Sequence, residues 1–362
     1  MHKETVMTLD AGGTNFVFTA IKNAAEIAAP VTLPSAGNNL DNCLKNMITG
    51  FEMISGVLKE KPDAISFAFP GPADYGNGII GDLGNLPGFR GGIALGPMLR
   101  EKFGIPVFIN NDGDLFAYGE SMFGLLPELN QKLKKAGSIK QYKNFIGITL
   151  GTGFGGGIVR NNELFLGDNG AAGEVWLLHN PLIENSFAEE SISARAIVRE
   201  YIHAGGDDHD GFQAMDVYNI AHGKASGNKE AALHSFHIFG QSLGNALVQA
   251  VTLVDGIVAI GGGLSNAWDL FSPSMFEVMN GTCKTVQGNT FSRLVANVYD
   301  LENPDIFEEF AIGSKKEITV PFSVKKLQYD PLKRTGVGLS KLGASKAISL
   351  GAYAYAVNAL KG

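Results

Sequence analysis

One pattern occurs twice in this sequence and constrains the fold more than any other feature. Each copy is an apolar run, a glycine-rich turn and a second apolar run; the first spans residues 5–21 with its turn at 10–15, and the second spans residues 146–159 with its turn at 151–157. Such a pattern predicts a β-hairpin with a glycine-rich tip. We interpret the repetition as an internal duplication. It predicts two similar halves that face each other across a cleft, with the two hairpin tips holding one polyphosphate.

A second informative stretch lies at residues 107–114, where a short apolar run ends in amides and carboxylates. Residues 115–123 continue with apolar side chains at helical spacing, so the stretch predicts a buried strand that leads into a helix N-terminus. Open α/β sheets bind their ligands at such positions. Asp112 is therefore a candidate for accepting a proton from a small hydroxylated ligand. The alternative is that Asp112 or Asp114 only caps the helix, and this stretch alone favours neither interpretation.

The other apolar patterns predict alternating helices and strands. Further strands are predicted at residues 63–69, 256–260, 291–300 and 317–324, and helices at residues 44–58, 95–103, 193–202, 233–251 and 347–360. Residues 125–143 are polar and lysine-rich, and we interpret them as a surface excursion at a domain boundary. The order of elements predicts an N-terminal α/β domain of residues 1–114 plus 346–362, closed by the last helix, and a C-terminal α/β domain of residues 115–345.

The composition narrows the class of partner. With 362 residues, of which 45% are hydrophobic and 18% charged, the chain is large enough for two domains and a sizeable core. The net charge of −7 includes no basic run, which disfavours nucleic acid or an anionic membrane as partner and favours a small molecule. The only cysteines are Cys43 and Cys283, so we expect a reducing cytoplasm and neither a disulfide framework nor a Cys-rich zinc cluster. No secretory segment or membrane span is predicted.

Glycine-rich loops attract phosphates because successive backbone N–H groups without a neighbouring Cβ form a concave anion site. Residues 151–156 satisfy the G-x-G-x-x-G dinucleotide pattern, but that fingerprint needs a helix directly after it, and here a hairpin continues. No Walker A sequence occurs. The remaining interpretation is binding at the hairpin tips, with Asp10 holding Mg²⁺ through water and the hydroxyls of Thr14 and Thr152 contacting phosphate oxygens. For each threonine, stabilisation of its own turn is the alternative.

Five groups of short motifs occur in order along most of the chain. They are Asp-Ala-Gly-Gly-Thr-Asn at 10–15, Asn-Leu-Pro-Gly-Phe at 85–89, Gly-Ile-Pro-Val at 104–107, Asn-Asp at 111–112 with Gly-Glu at 119–120, and Leu-Gly-Thr-Gly-Phe-Gly-Gly-Gly at 150–157. Together they resemble the ROK family of sugar kinases and repressors, from Leu9 to about Gly263. The resemblance implies an actin-like, ribonuclease-H-type fold of two α/β domains, with ATP, Mg²⁺ and a hexose meeting in the cleft. It also implies a homodimer.

The resemblance implies roles for individual residues. Asp112 corresponds to the family's catalytic base. The substrate-binding residues that it implies are Asn85, Asn111, Glu174 and Glu189, of which Glu189 is the weaker match. The nucleotide-binding residues that it implies are Asp10, Gly12, Gly13, Thr14, Thr152, Gly153, Gly262 and Gly263, with the last two beside the adenosine.

The sequence departs from the family directly after Glu174. Many members continue with Gly-His and then a Cys-rich zinc motif, whereas this chain continues with Val-Trp-Leu-Leu at 175–178 and has no cysteine nearby. Leu177 takes the place of the histidine, and His179, two positions on, is either its substitute or an ordinary surface residue. We therefore expect no structural zinc, and the identity of the sugar stays open.

The hypothesis from the sequence is ATP-dependent phosphorylation of a hexose or hexose derivative, as by a glucokinase or fructokinase, with Asp112 as general base. A catalytically silent sugar-binding protein is the first alternative, because the family histidine is missing. A sugar-responsive transcriptional repressor is the second. It needs a DNA-reading segment, and only four residues precede the first predicted strand.

Overall fold

The computed structural model of this chain describes residues 3–84 and 86–361. Its strands are β1 (Thr5–Ala11), β2 (Asn15–Lys22), β3 (Ala25–Glu26), β4 (Val31–Pro34), β5 (Ala64–Ala68), β6 (Ala73–Asp74), β7 (Ile79–Ile80), β8 (Val107–Asn110), β9 (Phe145–Leu150), β10 (Phe154–Arg160), β11 (Glu163–Leu164), β12 (Ile257–Gly261), β13 (Thr282–Lys284), β14 (Thr290–Ser292), β15 (Asn297–Asp300), β16 (Lys316–Thr319), β17 (Lys326–Tyr329) and β18 (Arg334–Leu339). Its helices are α1 (Leu40–Val57), α2 (Leu95–Phe103), α3 (Asp112–Phe123), α4 (Leu125–Lys135), α5 (Ala194–His203), α6 (Ala214–Ala221), α7 (Lys229–Val254), α8 (Trp268–Met279), α9 (Pro304–Ile312) and α10 (Ala344–Ala359). Short 3₁₀ helices lie at Val175–Leu177, Ala188–Glu190 and Gly263–Ala267.

Each of the two large sheets begins with one of the predicted hairpins. In the first sheet, β1 and β2 are antiparallel and β5 and β8 run parallel to β1, in the order β3-β2-β1-β5-β8 with β4 beside β2. In the second sheet, β9 and β10 are antiparallel and β12, β18 and β15 run parallel to β9, in the order β11-β10-β9-β12-β18-β15. Both predicted hairpins are therefore confirmed. The two sheets share one plan, a hairpin followed by parallel strands.

The helices form layers on either side of the two sheets. Helices α1 and α2 cover the outer face of the first sheet through a core that includes Phe18, Phe51 and Phe67. Helices α3 and α10 form the middle layer, because α10 packs on β1, β5 and β8 while α3 packs on β9 and β10. Helices α5 to α8 cover the far face of the second sheet, in a core that includes Leu243 and Phe271. The α3–α10 pair is thus the structural link between the two sheets.

Helices α3 and α10 cross so closely that glycine is required at the contact. A Cβ at Gly119 would lie 1.9 Å from the carbonyl oxygen of Ala347, and a Cβ at Gly351 would lie 1.9 Å from the carbonyl oxygen of Leu115. Backbone atoms cannot move away from such a contact as a flexible side chain can. Gly119, which belongs to one of the motifs singled out in the sequence, is therefore a packing residue of the middle layer.

Glu120, the other residue of that motif, is fully buried in the middle layer. Its carboxylate accepts hydrogen bonds from the N–H groups of Leu125 at 2.8 Å and Leu342 at 2.9 Å, and from the hydroxyl of Ser340. A buried carboxylate without such donors would cost several kcal/mol, roughly, in lost hydration. These bonds tie the C-terminal end of α3 to the loop that precedes α10.

The interpretation of residues 125–143 as a surface excursion is wrong in its first half. Leu125–Lys135 forms α4, whose leucines at 125, 126, 129 and 133 are buried while its lysines at 132, 134 and 135 are exposed. Leucines at this spacing form one face of an amphipathic helix. The lysine content suggested a loop, although it belongs only to the opposite face.

Two of the predicted strands are divided in the structure. The predicted strand 291–300 contains part of β14, which pairs with β13, and all of β15, which pairs with β18 in the second sheet. The predicted strand 317–324 supplies only one arm and the turn of the hairpin β16–β17. An alternating pattern shows which residues are extended and does not show where the chain changes partners.

The long helix predicted at residues 233–251 is confirmed as α7, which spans 26 residues. It begins at Asn228, whose side chain accepts a hydrogen bond from the N–H of Ala231 at 3.1 Å, and it ends at Asp255 in the left-handed conformation. No helix within residues 3–84 and 86–361 is both long enough and apolar enough to cross a membrane.

Candidate active site

Helix α3 begins where β8 ends, at the edge of the first sheet, and its first turn carries the acidic cluster. Its N-cap is Asn111, whose side-chain oxygen accepts a hydrogen bond from the N–H of Gly113 at 2.7 Å. The same N–H lies 2.9 Å from Oδ1 of Asp112, the first residue of the helix. Because Asn111 is the cap, the interpretation of Asp112 or Asp114 as the N-cap residue is wrong. Asp112 stays exposed at the start of the helix.

Asp112 lines a cleft of about 450 Å³ formed by α3, the tip of the second hairpin and the segment before α5. This cleft brings together residues that lie far apart in the sequence. The predicted site residues on its walls are Asn111, Asp112, Thr152, Gly153, Glu174, Glu189, Gly262 and Gly263.

The glycines of β10 allow α3 to lie directly against the second sheet. A Cβ at Gly113 would be 2.5 Å from the carbonyl oxygen of Gly156, and a Cβ at Gly157 would be 2.6 Å from the carbonyl oxygen of Gly113. Gly151, in contrast, has open space around its Cβ position. The second half of this glycine run is therefore explained by helix packing, and only its tip is available to a ligand. Strand β10 begins at Phe154, within this run, and leads to β11 instead of a helix, so the run is not a dinucleotide fingerprint.

Glu189 stabilises the tip of the second hairpin by a hydrogen bond. Its Oε2 accepts a hydrogen bond from the N–H of Phe154 at 3.0 Å, and its Oε1 lies 3.1 Å from Nη2 of Arg195. A Cβ at Gly153 would come within 2.6 Å of the same Oε2, so this glycine lets the carboxylate approach the backbone. Both oxygens of Glu189 thus have partners on the protein, although the residue lines the cleft.

Glu174 enters the cleft through a sharp turn of the chain. Gly173 adopts φ +85°, and a Cβ there would lie 3.1 Å from Cα of Gly157, so the turn is pressed against β10. Glu174 is exposed, and one of its carboxylate oxygens accepts a hydrogen bond from the indole N–H of Trp176. Leu177, at the position of the family histidine, is 55% exposed.

Beneath Asp112 lies a second aspartate, Asp114, with only 3% of its surface exposed. Its Oδ1 is buried without a hydrogen-bond partner among the described residues. Burial raises the pKa of Asp114 to about 8, and the negative charges of Glu174 and Asp112 contribute to the rise. Asp114 therefore holds a proton at neutral pH, unlike an ordinary surface aspartate.

A second cleft, of about 500 Å³, meets the first at Gly262 and Gly263. Gly262 has φ +88°, and a Cβ there would lie 2.3 Å from the carbonyl oxygen of Leu150, so no other residue fits where the end of β12 meets β9. The other residues on the walls of the second cleft are Gly261, Ser265, Asn266, Trp268, Leu339, Ser340, Gly343 and Ala344. The two clefts form a continuous path along the carboxyl ends of β9 and β12.

The tip of the first hairpin is at the same edge of the first sheet as Asn111, since β1, β5 and β8 are parallel. Its predicted site residues Asp10, Gly12, Gly13 and Thr14 are all exposed. Among the described residues, the walls of the two clefts include none of these four. Asn85, the remaining predicted substrate-binding residue, lies outside the described residues.

The hairpin tips fit a polyphosphate with a metal ion. The Cβ positions of Gly13 and Gly151 at the tips, and of Gly263 after β12, have nothing within 4 Å, so the backbone beside them is open to a ligand. Mg²⁺ is commonly held by one or two carboxylates together with phosphate oxygens and water. The exposed carboxylate of Asp10 fits that requirement. Within the described residues, no three or more His, Cys, Asp or Glu side chains are grouped so that they could hold a metal by themselves.

Sequence reasoning missed three residues in or beside the first cleft. Trp176 lines it, Asp114 lies under it, and Tyr75, whose hydroxyl donates a hydrogen bond to the carbonyl oxygen of Phe69 at 3.0 Å, lies near Asn111. Burial raises the pKa of Tyr75 as well. Asp114 stood in the acidic stretch, but nothing in its spacing distinguishes a buried carboxyl from an exposed one. Tyr75 carries no local signal, because β5 and β8 bring it to Asn111 across 36 positions of sequence.

Comparisons of sequence and of structure with known proteins match this chain to the same family. The sequence profile of the ROK family matches residues 6–300. The glucokinase of Thermotoga maritima is 26% identical over 304 residues, 77% of this chain and 89% of its own length. The N-acetyl-D-glucosamine kinase of Vibrio vulnificus is 27% identical over 281 residues, 71% of this chain and 83% of its own length. A crystal structure of a glucokinase from Parabacteroides distasonis is 50% identical, with a TM-score of 0.90 over 98% of both chains.

Proposed function

Because this chain belongs to the ROK family, we propose that it is an ATP-dependent sugar kinase in which Asp112 accepts the proton of the attacking hydroxyl. The kinase activity is supported by the curated relatives, which are glucokinases and N-acetylglucosamine kinases. The fold is the actin-like, two-sheet α/β fold of the ROK kinases. The observation that carries the catalytic role is the cleft in which Asp112 faces the same space as Glu174 and the hairpin tip at Thr152.

In phosphoryl transfer, the protein mainly positions the reacting groups and neutralises the charge of the phosphates. In the proposed step, a sugar hydroxyl transfers its proton to the carboxylate of Asp112 while its oxygen forms a bond to the γ-phosphorus of ATP. The bond from that phosphorus to the bridging oxygen breaks, and ADP leaves. Asp112 suits this role because it is an exposed carboxylate at the start of a helix, and its Oδ1 accepts a hydrogen bond from the N–H of Gly113.

The sugar and the nucleotide occupy adjoining parts of the site in this proposal. Asn111, Glu174 and Glu189 bond the sugar hydroxyls, with Glu189 also holding the hairpin tip. Thr152 and Gly153 contact the phosphates, while Gly262 and Gly263 lie where the phosphate part meets the second cleft, which takes the nucleoside. Mg²⁺ held through Asp10 would neutralise phosphate charge during transfer.

The first hairpin joins the site by closure. We take residues 1–114 with 346–362 as one domain and residues 115–345 as the other, as the order of elements predicts. Asp10, Gly12, Gly13 and Thr14 then approach the phosphates when the first sheet moves towards the second, while Asp112, at the start of α3, keeps its place beside β10. Such closure excludes water and so protects ATP from hydrolysis.

A coupled assay of ADP release, with ATP, Mg²⁺ and a panel of hexoses and N-acetylhexosamines, tests this function. We expect at least one sugar to stimulate ADP release well above the rate without sugar, with a sugar phosphate as the second product. If sugars bind in a titration and none stimulates ADP release, the chain is instead a catalytically silent sugar-binding protein. If none binds, the proposed function is wrong.

A further inference from the structure

An aromatic side chain lines the wall of the first cleft, and the proposed chemistry does not use it. This residue is Trp176, in the 3₁₀ helix Val175–Leu177. It is partly buried and shares the cleft wall with Asp112 and Glu174. The indole therefore shares the cleft with the carboxylates that are proposed to hold the sugar hydroxyls.

Trp176 is held in place from several sides. The preceding residue, Val175, is buried against β10, where a Cβ at Gly156 would come within 2.7 Å of the valine side chain. The indole N–H donates a hydrogen bond to Glu174. The ring of Phe187 meets the indole edge to face, with centroids 5.5 Å apart and an interplanar angle of 88°. The plane of the indole is thus fixed before any ligand binds.

Phe187 is itself fixed by the closure of the loop that carries it. His179 and Phe187 form an isolated β-bridge. Asn180, which is 2% exposed, donates hydrogen bonds from Nδ2 to the carbonyl oxygen of Phe187 at 3.3 Å and to the hydroxyl of Ser191 at 2.8 Å. This closed loop joins Glu174 to Glu189, so it holds both glutamates and the indole in one rigid unit.

We propose that Trp176 determines substrate specificity by packing its indole face against the C–H face of a pyranose ring, while the surrounding carboxylates bond the hydroxyls at the ring edge. The inference rests on the proposed kinase function and assigns the substrate to the pyranoses. A pyranose has apolar faces and polar edges, and small-molecule sites match such a ligand with an aromatic wall and a few placed polar groups. Because the indole N–H is bonded to Glu174, the wall also orients one of those polar groups.

The chain offers a direct optical test, because its only tryptophans are Trp176 and Trp268, and they line different clefts. The Trp268→Phe variant leaves Trp176 as the sole reporter. Titration of this variant with glucose or N-acetylglucosamine, without nucleotide, should give a saturable change in tryptophan emission. The matched control is Trp176→Phe, in which only Trp268 remains, and the same titration should leave its emission unchanged.

Kinetic measurements distinguish the packing of the Trp176 ring from its hydrogen bond to Glu174. Trp176→Ala should raise the sugar KM about tenfold or more, the loss expected when a buried aromatic contact is removed, with the ATP KM within about twofold of wild type. Trp176→Phe keeps an aromatic face and loses the N–H, so it should recover most of the sugar affinity. Circular dichroism and the thermal unfolding midpoint check that both variants are folded.

Three results would overturn the inference while leaving the kinase function intact. The first is no emission change in Trp268→Phe at sugar concentrations that saturate its activity. The second is an unchanged sugar KM in folded Trp176→Ala. The third is a sugar KM for Trp176→Phe as high as that for Trp176→Ala, which would show that the hydrogen bond with Glu174 causes the effect. Failure of the kinase function itself would appear differently, as a wild-type protein that no sugar activates.

Discussion

At the scale of single residues, burial separates two neighbouring aspartates that the sequence presents alike. Asp112 is exposed and faces the cleft, whereas Asp114, two positions on, is enclosed by α3 and β10. The charged or titratable groups that act on Asp114 are Asp112 on its own helix, Glu174 on the loop, Tyr75 before α2 and Tyr355 on α10. Among the described residues these groups are carboxylates and phenols, with no cation to offset the cost of ionising Asp114.

The raised pKa of Asp114 predicts a specific dependence of stability on pH. In the unfolded chain this group ionises near its ordinary pKa of 3.8, whereas in the folded chain it stays protonated up to about pH 8. Between these values the folded state binds one more proton, so this group lowers the unfolding free energy by up to about 1.4 kcal/mol per pH unit as pH rises. Asp114→Asn, which is always neutral, should remove that contribution.

Denaturant unfolding of wild type and Asp114→Asn at pH 5, 6, 7 and 8 measures this effect. The unfolding free energy of the variant minus that of wild type should increase with pH and level off above about pH 8. A difference that stays constant over this range would contradict the assignment of a protonated Asp114.

At this scale, a residue's surroundings can be predicted from the sequence only where its contacts are with residues nearby in the chain. Asn111 and Asp112 are identified from their own stretch, because a strand followed at once by a helix fixes where they lie. Trp176 and Asp114 acquire their surroundings from β10 and the closed loop, which are distant in sequence. No local pattern predicts that burial.

At the scale of elements, the α3–α10 crossing decides how the two sheets are joined. A methyl group at Gly119 would meet the backbone of α10 at 1.9 Å, and the helices cannot separate without disturbing the contacts of Glu120. Gly119→Ala should therefore lower the unfolding free energy by about 3 kcal/mol or more, at or above the usual cost of overpacking a core. Denaturant unfolding measures this change.

Gly56→Ala is the matched control for that substitution. Gly56 lies in α1, is exposed, and has nothing within 4 Å of its Cβ position. Alanine there should stabilise the protein by up to about 1 kcal/mol, since it favours helix without a clash. If the two alanine variants had equal stabilities, the close crossing of α3 and α10 would be wrong.

Elements were predictable where one periodic pattern corresponds to one element, as in α1, α7 and the two hairpins. The prediction failed at α4, where exposed lysines concealed four buried leucines. It also failed at residues 291–300, where one extended run serves two sheets. The first failure is a misread local pattern, since the leucines of α4 have helical spacing, whereas the second arises because tertiary partners determine where an extended run changes sheets.

At the scale of the whole molecule, each of the two repeated hairpins begins one of the two large sheets, and the proposed function includes a movement of the first hairpin. Asp10 and Thr14 lie at the correct edge of the first sheet but do not line either cleft. We therefore propose that the two halves move together when both tips contact the phosphates. Small-angle X-ray scattering should show a smaller radius of gyration with sugar and a non-hydrolysable ATP analogue than with neither. Superimposable scattering curves would argue against closure, and a sugar inactive in the kinase assay serves as control.

The central claim is that Asp112 activates the hydroxyl that attacks ATP, and the most direct test is the turnover rate of Asp112→Asn. The variant keeps the size of the side chain and a hydrogen-bond acceptor beside Gly113, so its fold and sugar affinity should stay near those of wild type. Its kcat should fall about 100-fold or more, as expected for the loss of a general base. Sugar phosphorylation at the wild-type rate by the folded, sugar-binding variant would contradict the account.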